Sequence, residues 1–299
     1  NSTDNTVEIV KKSQNIYPNL HLQQEPQKTG LGSAYIQAMQ FAMTKLNADI
    51  VFEFDADGSH QPKYILQMLE KIKQGADVVV GSRYVKGGSM PKDWGLHRKL
   101  LSGVGNIIAR CVLSPKYKDL TSGFRATKTS FLKKVDLPNL LSKDYAYKLR
   151  LFWELHQLKA KIVEHPIEFI DREKGDSKLP KNSIKDALRV VFTLRYRKLK
   201  NYIKMCCIGL SSLVAQLAIF NLLRLIVTPA IANSVGVEVA VIMNFILNNH
   251  FTFKDQKIKK SQRKKLIGKF IQFNIASLGS MAIQAITVHG FIMLFGRHA

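Results

Sequence analysis

The chain is short of acid. Its 299 residues hold 22 Asp and Glu against 45 Lys and Arg, a formal net charge of +23. Such an imbalance means attraction to polyanions: nucleic acid, anionic lipid or a phosphorylated substrate. Cysteine is scarce too. Cys111, Cys206 and Cys207 cannot build a disulfide framework, and they show no zinc-ligand spacing. Cys206 and Cys207 adjoin in an apolar run and are expected as buried thiols. There is no internal repeat. An initiator Met and a signal peptide are also missing, and the last residues fall inside a hydrophobic region. The chain therefore reads as a fragment cut at both ends. Its length still suffices for one large or two smaller domains with a sizeable core.

Up to about Pro180 the pattern alternates. IVFEFDAD (Ile50 to Asp57) and ADVVVGSRY are short, apolar and rich in β-branched residues, as buried parallel strands are. KYILQMLEKIKQG places apolar residues at helical spacing with Gly75 as its stop, and Gly32 to Leu46 reads as a second helix. This rhythm predicts an α/β sheet with crossover helices. Ligands of such sheets bind beyond the carboxyl ends of the strands, where Asp55, Asp57 and Arg83 fall.

From about Ser183 apolar and basic residues mix at helical spacing. Ile184, Leu188, Val191 and Phe192 share a face among Lys185, Arg189, Arg195 and Arg197. That suits a helix on an anionic membrane surface; the alternative is an ordinary surface helix. Long apolar segments follow at Met205 to Leu223, about Ala230 to Phe253 and about Phe270 to Phe295. Each has the length of about 20 residues that a bilayer requires. The link between the first two spans carries no charge, whereas the segments before the first and after the second are basic. Both basic segments, and the α/β half with them, are then expected in the cytoplasm of a multi-pass cell-membrane protein. The anionic leaflet accounts for the basic loops better than nucleic acid does.

One acidic spot stands out in this basic chain. Glu53, Asp55 and Asp57 close an apolar strand and run straight into GSHQP. Side chains alternate along an extended chain, so Asp55 and Asp57 point the same way and could share one hard cation. Mg²⁺ or Mn²⁺ held by one or two carboxylates plus substrate phosphates is the usual arrangement at a nucleotide diphosphate. D-x-D alone is a weak signal. Its place after a strand, with GSR one strand later, strengthens it.

DADGSHQP, GSRYVKGG, RKLLSGVGN, DLTSGFRATK and GDSKLP, in that order, resemble the polyprenyl-phosphate glycosyltransferases of glycosyltransferase family 2. The similarity is greatest to the branch of dolichol-phosphate mannose synthase. NSTDNT resembles the tail of the family's D-D-x-S-x-D-x-T segment, and the last hundred residues resemble a GtrA-type membrane domain. The resemblance implies a GT-A fold over residues 1–180, basic amphipathic interfacial helices over 181–204 and a transmembrane domain over 205–299. It also implies a missing strand upstream of Asn1 and a missing membrane helix past Ala299.

By family position Asp55 would contact the donor nucleotide, and Asp57, with Ser59 directly or through water, would hold Mg²⁺ or Mn²⁺. Arg83, Arg98 and Ser102 would hold the acceptor phosphate, and Lys178 the pyrophosphate side. Arg125 and Arg172 are further candidates. His60 is either a base or a loop residue that shapes the turn. Gly81, Gly123 and Gly175 permit close backbone approach or a turn.

The implied reaction is inverting transfer of mannose from GDP-mannose to a polyprenyl (dolichyl) phosphate. An acceptor that is already an anion needs no strong general base. Two alternatives are transfer of glucose from UDP-glucose to undecaprenyl phosphate and a non-catalytic carrier or flippase of a lipid-linked sugar. Ser59 and His60 favour mannose over glucose.

Overall fold

The computed structural model describes residues 4–27, 29–91, 93–140, 142, 144–171, 182–253, 264 and 267–275. Contacts divide the chain into a first unit, Asn1–Tyr196, and a second, Arg197–Ala299.

The first unit is built on a four-stranded mixed sheet. Its strands are β1 (Ile50–Glu53), β2 (Val78–Ser82), β3 (Arg125–Lys128) and β4 (Ile162–Pro166), in the order β1-β3-β2-β4. β2 and β4 run parallel, while β3 lies antiparallel between β1 and β2. The α/β class is as expected, but β1 and β2 are not neighbours. The chain returns between them, so the purely parallel expectation fails at β3. β1 is also shorter than the run Ile50 to Asp57 and only partly buried along Ile50 to Phe52, because it pairs on one flank alone.

Helices cover both faces of the sheet. Alternation along β2 sends Val78 and Val80 to one face and Val79 to the other. The first face meets Met39 and Met43 of α2 (Leu31–Thr44), Ala109 of α4 (Leu96–Val112), and Tyr147, Leu151 and Leu155 of α6 (Tyr147–Gln157). The second meets Met68 and Ile72 of α3 (Lys63–Lys73). A short helix, α1 (Thr6–Gln14), buries no residue, and α5 (Thr129–Leu132) follows β3 directly. α3 ends as predicted, with Gly75 at φ +96.

A buried ion pair ties the edge strand β1 to β3. Glu53 and Arg125 stand directly opposite each other on β1 and β3, and each side chain is 1% exposed. Arg125 Nε donates to Glu53 Oε2 at 2.5 Å. Tyr147 Oη donates to Glu53 Oε1 at 2.8 Å, and Arg125 Nη1 reaches the Lys148 carbonyl at 3.4 Å. Desolvation makes such a pair a weak net stabiliser, yet leaving one partner alone is costly.

α7 (Ser183–Leu223) is one helix of 41 residues. The expected interfacial segment and first span are thus continuous, since nothing between them is Gly or Pro until Gly209. The expected lipid-facing stripe is divided. Val190, Val191 and Leu194 pack into the core of the first unit, while Ile184 and Phe192 are exposed. α8 (Pro229–Leu247) follows and runs into a π-turn at Asn248–Thr252. Ser183–Leu223 and Ile231–Thr252 are both long and apolar enough to cross a membrane. Phe245 meets Phe270 and Phe273 at ring distances of 5.1 and 5.8 Å. Most of the third expected span and of the basic segment before it lies outside the described residues. The cysteines depart from expectation: all three are exposed thiols. Cys206 and Cys207 sit on the apolar part of α7, where lipid rather than protein would cover them.

Arg125→Met in the intact chain strands a buried carboxylate, and a loss of about 3–5 kcal/mol is expected. Thermal unfolding in detergent would read it as a clearly lower Tm. Glu53→Leu with Arg125→Met should recover much of that loss, and a single variant with the parent's Tm would refute the argument.

Candidate active site

The site lies at the carboxyl end of β1 and β2. Past β1 the alternation of side chains continues, so Asp55 falls on the face of Glu53 and Phe54 on the face of Phe52. Two helices reach Asp55. Tyr35 of α2 donates its hydroxyl to Asp55 Oδ1 at 2.5 Å. Lys148 of α6 sets its Nζ 3.6 Å from Asp55 Oδ2. The Tyr35 hydroxyl is pushed above its ordinary pKa by burial first and by the Asp55 charge second.

After Asp55 the chain turns. Asp57 is exposed, and its Oδ1 accepts from Ser59 N–H at 3.1 Å and from Ser59 Oγ at 2.5 Å. This Asx-type turn fixes the Asp57 side chain. The two carboxylates therefore do not share a ligand position as an extended strand would have allowed. Among the described residues no group of three His, Cys, Asp or Glu could cage a metal ion. Ser59 orients Asp57 here.

His60 is 3% exposed and takes the structural role. Its Nδ1 accepts from the Asp55 backbone N–H at 2.9 Å, which leaves the ring proton of the neutral form on Nε2. The ring stacks on Phe124 at 5.1 Å and meets Phe169 edge-on at 5.6 Å. Burial is the main cause that lowers its pKa from 6.5 to about 4.

The basic half begins one residue past β2. Arg83 donates through Nε to Asp119 Oδ2 at 2.8 Å, and through Nη2 to Asp119 Oδ1 at 2.9 Å and Thr121 Oγ1 at 2.7 Å. Nη1 takes no part in these bonds. Burial opposes both charges, but their mutual attraction and bonds outweigh it: the Arg83 pKa goes up and the Asp119 pKa goes down. Gly88 folds back under this loop. A Cβ there would lie 2.4 Å from the Ser82 carbonyl oxygen, so the second glycine of GSRYVKGG has no room for a side chain.

Arg98 and Ser102 stand one turn apart on α4 and share a face. Ser102 Oγ lies 3.1 Å from Tyr84 Oη, beside Arg83. The Arg98 guanidinium sits 4.1 Å from the centre of the Trp94 ring and pairs with Asp171 at 2.9 Å. The three expected acceptor residues are thus linked through Tyr84 and one aromatic wall. Phe169 joins the halves: its ring lies 5.6 Å from His60, 5.6 Å from the Arg83 guanidinium and 5.8 Å from Trp94. Backbone bonds hold that wall, from Ile170 N–H to the Ser59 carbonyl and from Phe169 N–H to the Ser89 carbonyl.

Arg125 is not brought to the rim; it is buried in its pair with Glu53. Arg172, Lys178 and Gly175 lie outside the described residues. The sequence reading missed Tyr35, Asp119 and Lys148 as members of the site. Asp119 was legible in DLTSGFR as an acid beside a candidate cation. Tyr35 and Lys148 carry no local signal.

Residues 1–136 match Glycosyl transferase family 2, and residues 204–299 match the GtrA/DPMS transmembrane domain. A dolichol-phosphate mannosyltransferase of Pyrococcus furiosus is 30% identical over 303 residues, covering 99% of this chain and 81% of that protein. The chain belongs to glycosyltransferase family 2. An undecaprenyl-phosphate mannosyltransferase of Micrococcus luteus is 36% identical over 171 residues, 57% of this family 2 chain and 69% of the relative. A polyprenol monophosphomannose synthase of Mycolicibacterium smegmatis is 35% identical over 169 residues, 56% and 63% of the two chains. Among solved structures, a glucosyl-3-phosphoglycerate synthase of Mycobacterium tuberculosis with UDP matches at a TM-score of 0.44 and 14% identity, covering 65% of this chain and 66% of that one.

A buried neutral His60 gives the fold a pH signature. Its folded pKa is lowered, so the unfolded chain takes up a proton first as pH falls from 6.5 toward about 4. Stability is expected to be full above that window and to decline through it. His60→Gln, whose side-chain oxygen can also accept the Asp55 N–H, should flatten the decline in a Tm-against-pH series. An equal slope in both proteins would count against the neutral assignment.

Proposed function

We propose that the chain transfers mannose from GDP-mannose to a polyprenyl phosphate at the cytoplasmic surface of a membrane. One observation carries this reading: the Asp55–Asp57 turn and the Arg83, Arg98 and Ser102 cluster share the wall formed by Phe169. Such a site can hold two anions side by side, a donor diphosphate at the acidic end and an acceptor phosphate at the basic end. The names of the three mannosyltransferase relatives support mannose as the sugar.

The lipid acceptor has support of its own. Leu96, Leu100, Leu101, Val104 and Ile107 of α4 are each at least half exposed, on the helix that carries Arg98 and Ser102. Exposed apolar side chains beside phosphate-binding cations suit a lipid whose head group is charged and whose tail stays in the bilayer. The two candidate spans and the GtrA/DPMS match make a membrane the expected surroundings.

The donor set fits a divalent cation in a limited way. Asp55 is held by Tyr35 and Lys148, and Asp57, exposed at the turn, would be the carboxylate that meets Mg²⁺ or Mn²⁺. One carboxylate with substrate phosphates is a common arrangement for these ions. When bound, the cation would neutralise charge on the departing nucleoside diphosphate.

The remaining work belongs to side chains. Ser59 holds Asp57 in one rotamer. Asp119 fixes the Arg83 guanidinium so that Nη1 can meet an acceptor phosphate without reorganisation. Arg98, on Trp94, and Ser102 complete that cradle. The phosphate attacks as an anion, so no proton must be removed, and the neutral His60 is not required as a base. Attack opposite the leaving diphosphate inverts the anomeric centre.

Membranes containing the chain should convert GDP-[¹⁴C]mannose into a lipid-soluble product with added polyprenyl phosphate. Asp57→Asn and Arg83→Met are each expected to lower that rate at least about 100-fold. Leu100→Ser with Val104→Ser should raise KM for the lipid and leave KM for the donor unchanged. Transfer from UDP-glucose instead would give the glucosyl alternative, and no transfer from either donor would favour a non-catalytic carrier.

A further inference from the structure

Arg98 already holds an anion. Its Nη1 and Nη2 donate to Asp171 Oδ2 and Oδ1 at 2.9 and 3.3 Å, so a carboxylate takes the side of the guanidinium fork that would suit a phosphate. The pair is open to solvent: 34% of the Arg98 side chain and 37% of the Asp171 side chain are exposed. Arg83 and Asp119 differ, at 10% and 0%. Buried partners cannot part without stranding a charge, whereas partners in contact with water separate at little cost. Arg83 is therefore fixed in its pair, and Arg98 can exchange its partner.

The surroundings keep both groups in place during such an exchange. The Trp94 ring, 9% exposed, lies 4.1 Å from the Arg98 guanidinium, and this contact does not involve Asp171. Asp171 itself follows a segment that the backbone pins. Phe169 N–H donates to the Ser89 carbonyl and Ile170 N–H to the Ser59 carbonyl. The carboxylate is thus tethered beside the guanidinium at a high effective concentration.

Charge decides which anion wins. A phosphomonoester carries about 1.5 to 2 negative charges at neutral pH, and a carboxylate carries one. The acceptor phosphate is a monoester, so it has the stronger claim on Arg98. Transfer forms a bond between the anomeric carbon and a phosphate oxygen, and breaks the bond from that carbon to the nucleoside diphosphate. The acceptor thereby becomes a diester with a single charge, and Asp171 competes with it on closer terms.

We propose that Asp171 is a positioning residue that stands in for the acceptor phosphate: it occupies Arg98 in the empty site, yields to the monoester and returns once the diester has formed. It weakens binding of acceptor and product alike and so favours product release. The inference rests on the glycosyltransferase reading above. A merely structural aspartate would not lower affinity for the substrate.

The test is binding of polyprenyl phosphate to the intact chain in detergent, without donor, by isothermal titration calorimetry at low salt. Asp171→Asn keeps the shape of the side chain and removes its charge. It should bind the lipid phosphate about fivefold more tightly than the parent, the upper end for an exposed ion pair. Asp171→Glu keeps the charge and should bind as the parent does. In steady state Asp171→Asn should lower KM for the lipid by a similar factor and leave KM for the donor unchanged. Its product should inhibit at lower concentration. Arg98→Met should weaken binding, and adding Asp171→Asn to it should restore nothing. Damage to the fold would weaken binding, so a gain cannot come from misfolding.

Equal or weaker lipid affinity in Asp171→Asn than in the parent, including no binding by either, overturns the proposal, as does a gain that survives Arg98→Met. The glycosyltransferase reading fails separately. Lipid binding that responds to Asp171→Asn, without transfer of sugar from GDP-mannose or UDP-glucose, would sink that reading and leave the exchange at Arg98 standing.

Discussion

A carboxylate removed from water must meet a cation, and this requirement organises the first unit. Acid is scarce in the chain, yet three acidic side chains at one end of the sheet are held by three different cations. Glu53 pairs with Arg125, Asp55 with Lys148 and Asp119 with Arg83. Each pair joins segments far apart in sequence. Glu53 to Arg125 ties the two antiparallel strands, Asp55 to Lys148 brings α6 to the end of β1, and Asp119 to Arg83 ties the DLTSGFR segment to the end of β2. Removing any one charge would leave another stranded in low dielectric. The geometry of the site therefore rests on the same bonds as the fold.

The pairs differ in what they leave over. Glu53 and Arg125 are sealed, each 1% exposed, and act as a clamp. Arg83 keeps Nη1 outside its bonds to Asp119 and Thr121. Arg98 is about one-third exposed over Trp94, with Asp171 as its partner. The series runs from a closed, buried pair to open cations at the rim. Electrostatic preorganisation has this form: groups already oriented by the protein need not reorganise when a charged substrate arrives. The aromatic wall of His60, Phe124, Phe169 and Trp94 excludes water from one side of that rim and strengthens each interaction beside it.

Much of this was legible locally. The periods of two and 3.6 locate β1, β2, α2 and α3, and the strand-end positions of Asp55, Asp57 and Arg83 follow from the apolar runs before them. Arg98 and Ser102 came from the family resemblance alone, and α4 puts them on one helix face. What could not be read is long-range. Nothing in ADVVVGSRY says that β3 will lie between it and β1. Nothing in YAYKLRL marks Lys148 as the partner of Asp55. The D-x-D motif also misleads in isolation, because an extended strand would aim both carboxylates at one ion. The turn at Ser59 and the pairing of Asp55 separate them. The face of α7 was half right: its apolar stripe is real, but Val191 packs on protein and Phe192 does not.

Gly123 carries a final consequence. The space its missing side chain leaves is filled by the ammonium group of Lys148, which arrives from α6. A side chain at 123 and the ammonium cannot hold this space together. A change at the glycine ejects the lysine, and a change at the lysine leaves a hollow that tolerates a larger residue at 123. The two behave as one heritable unit. A lineage that lost the lysine would be released to lose the glycine, and a return would then require both steps, the glycine before the lysine.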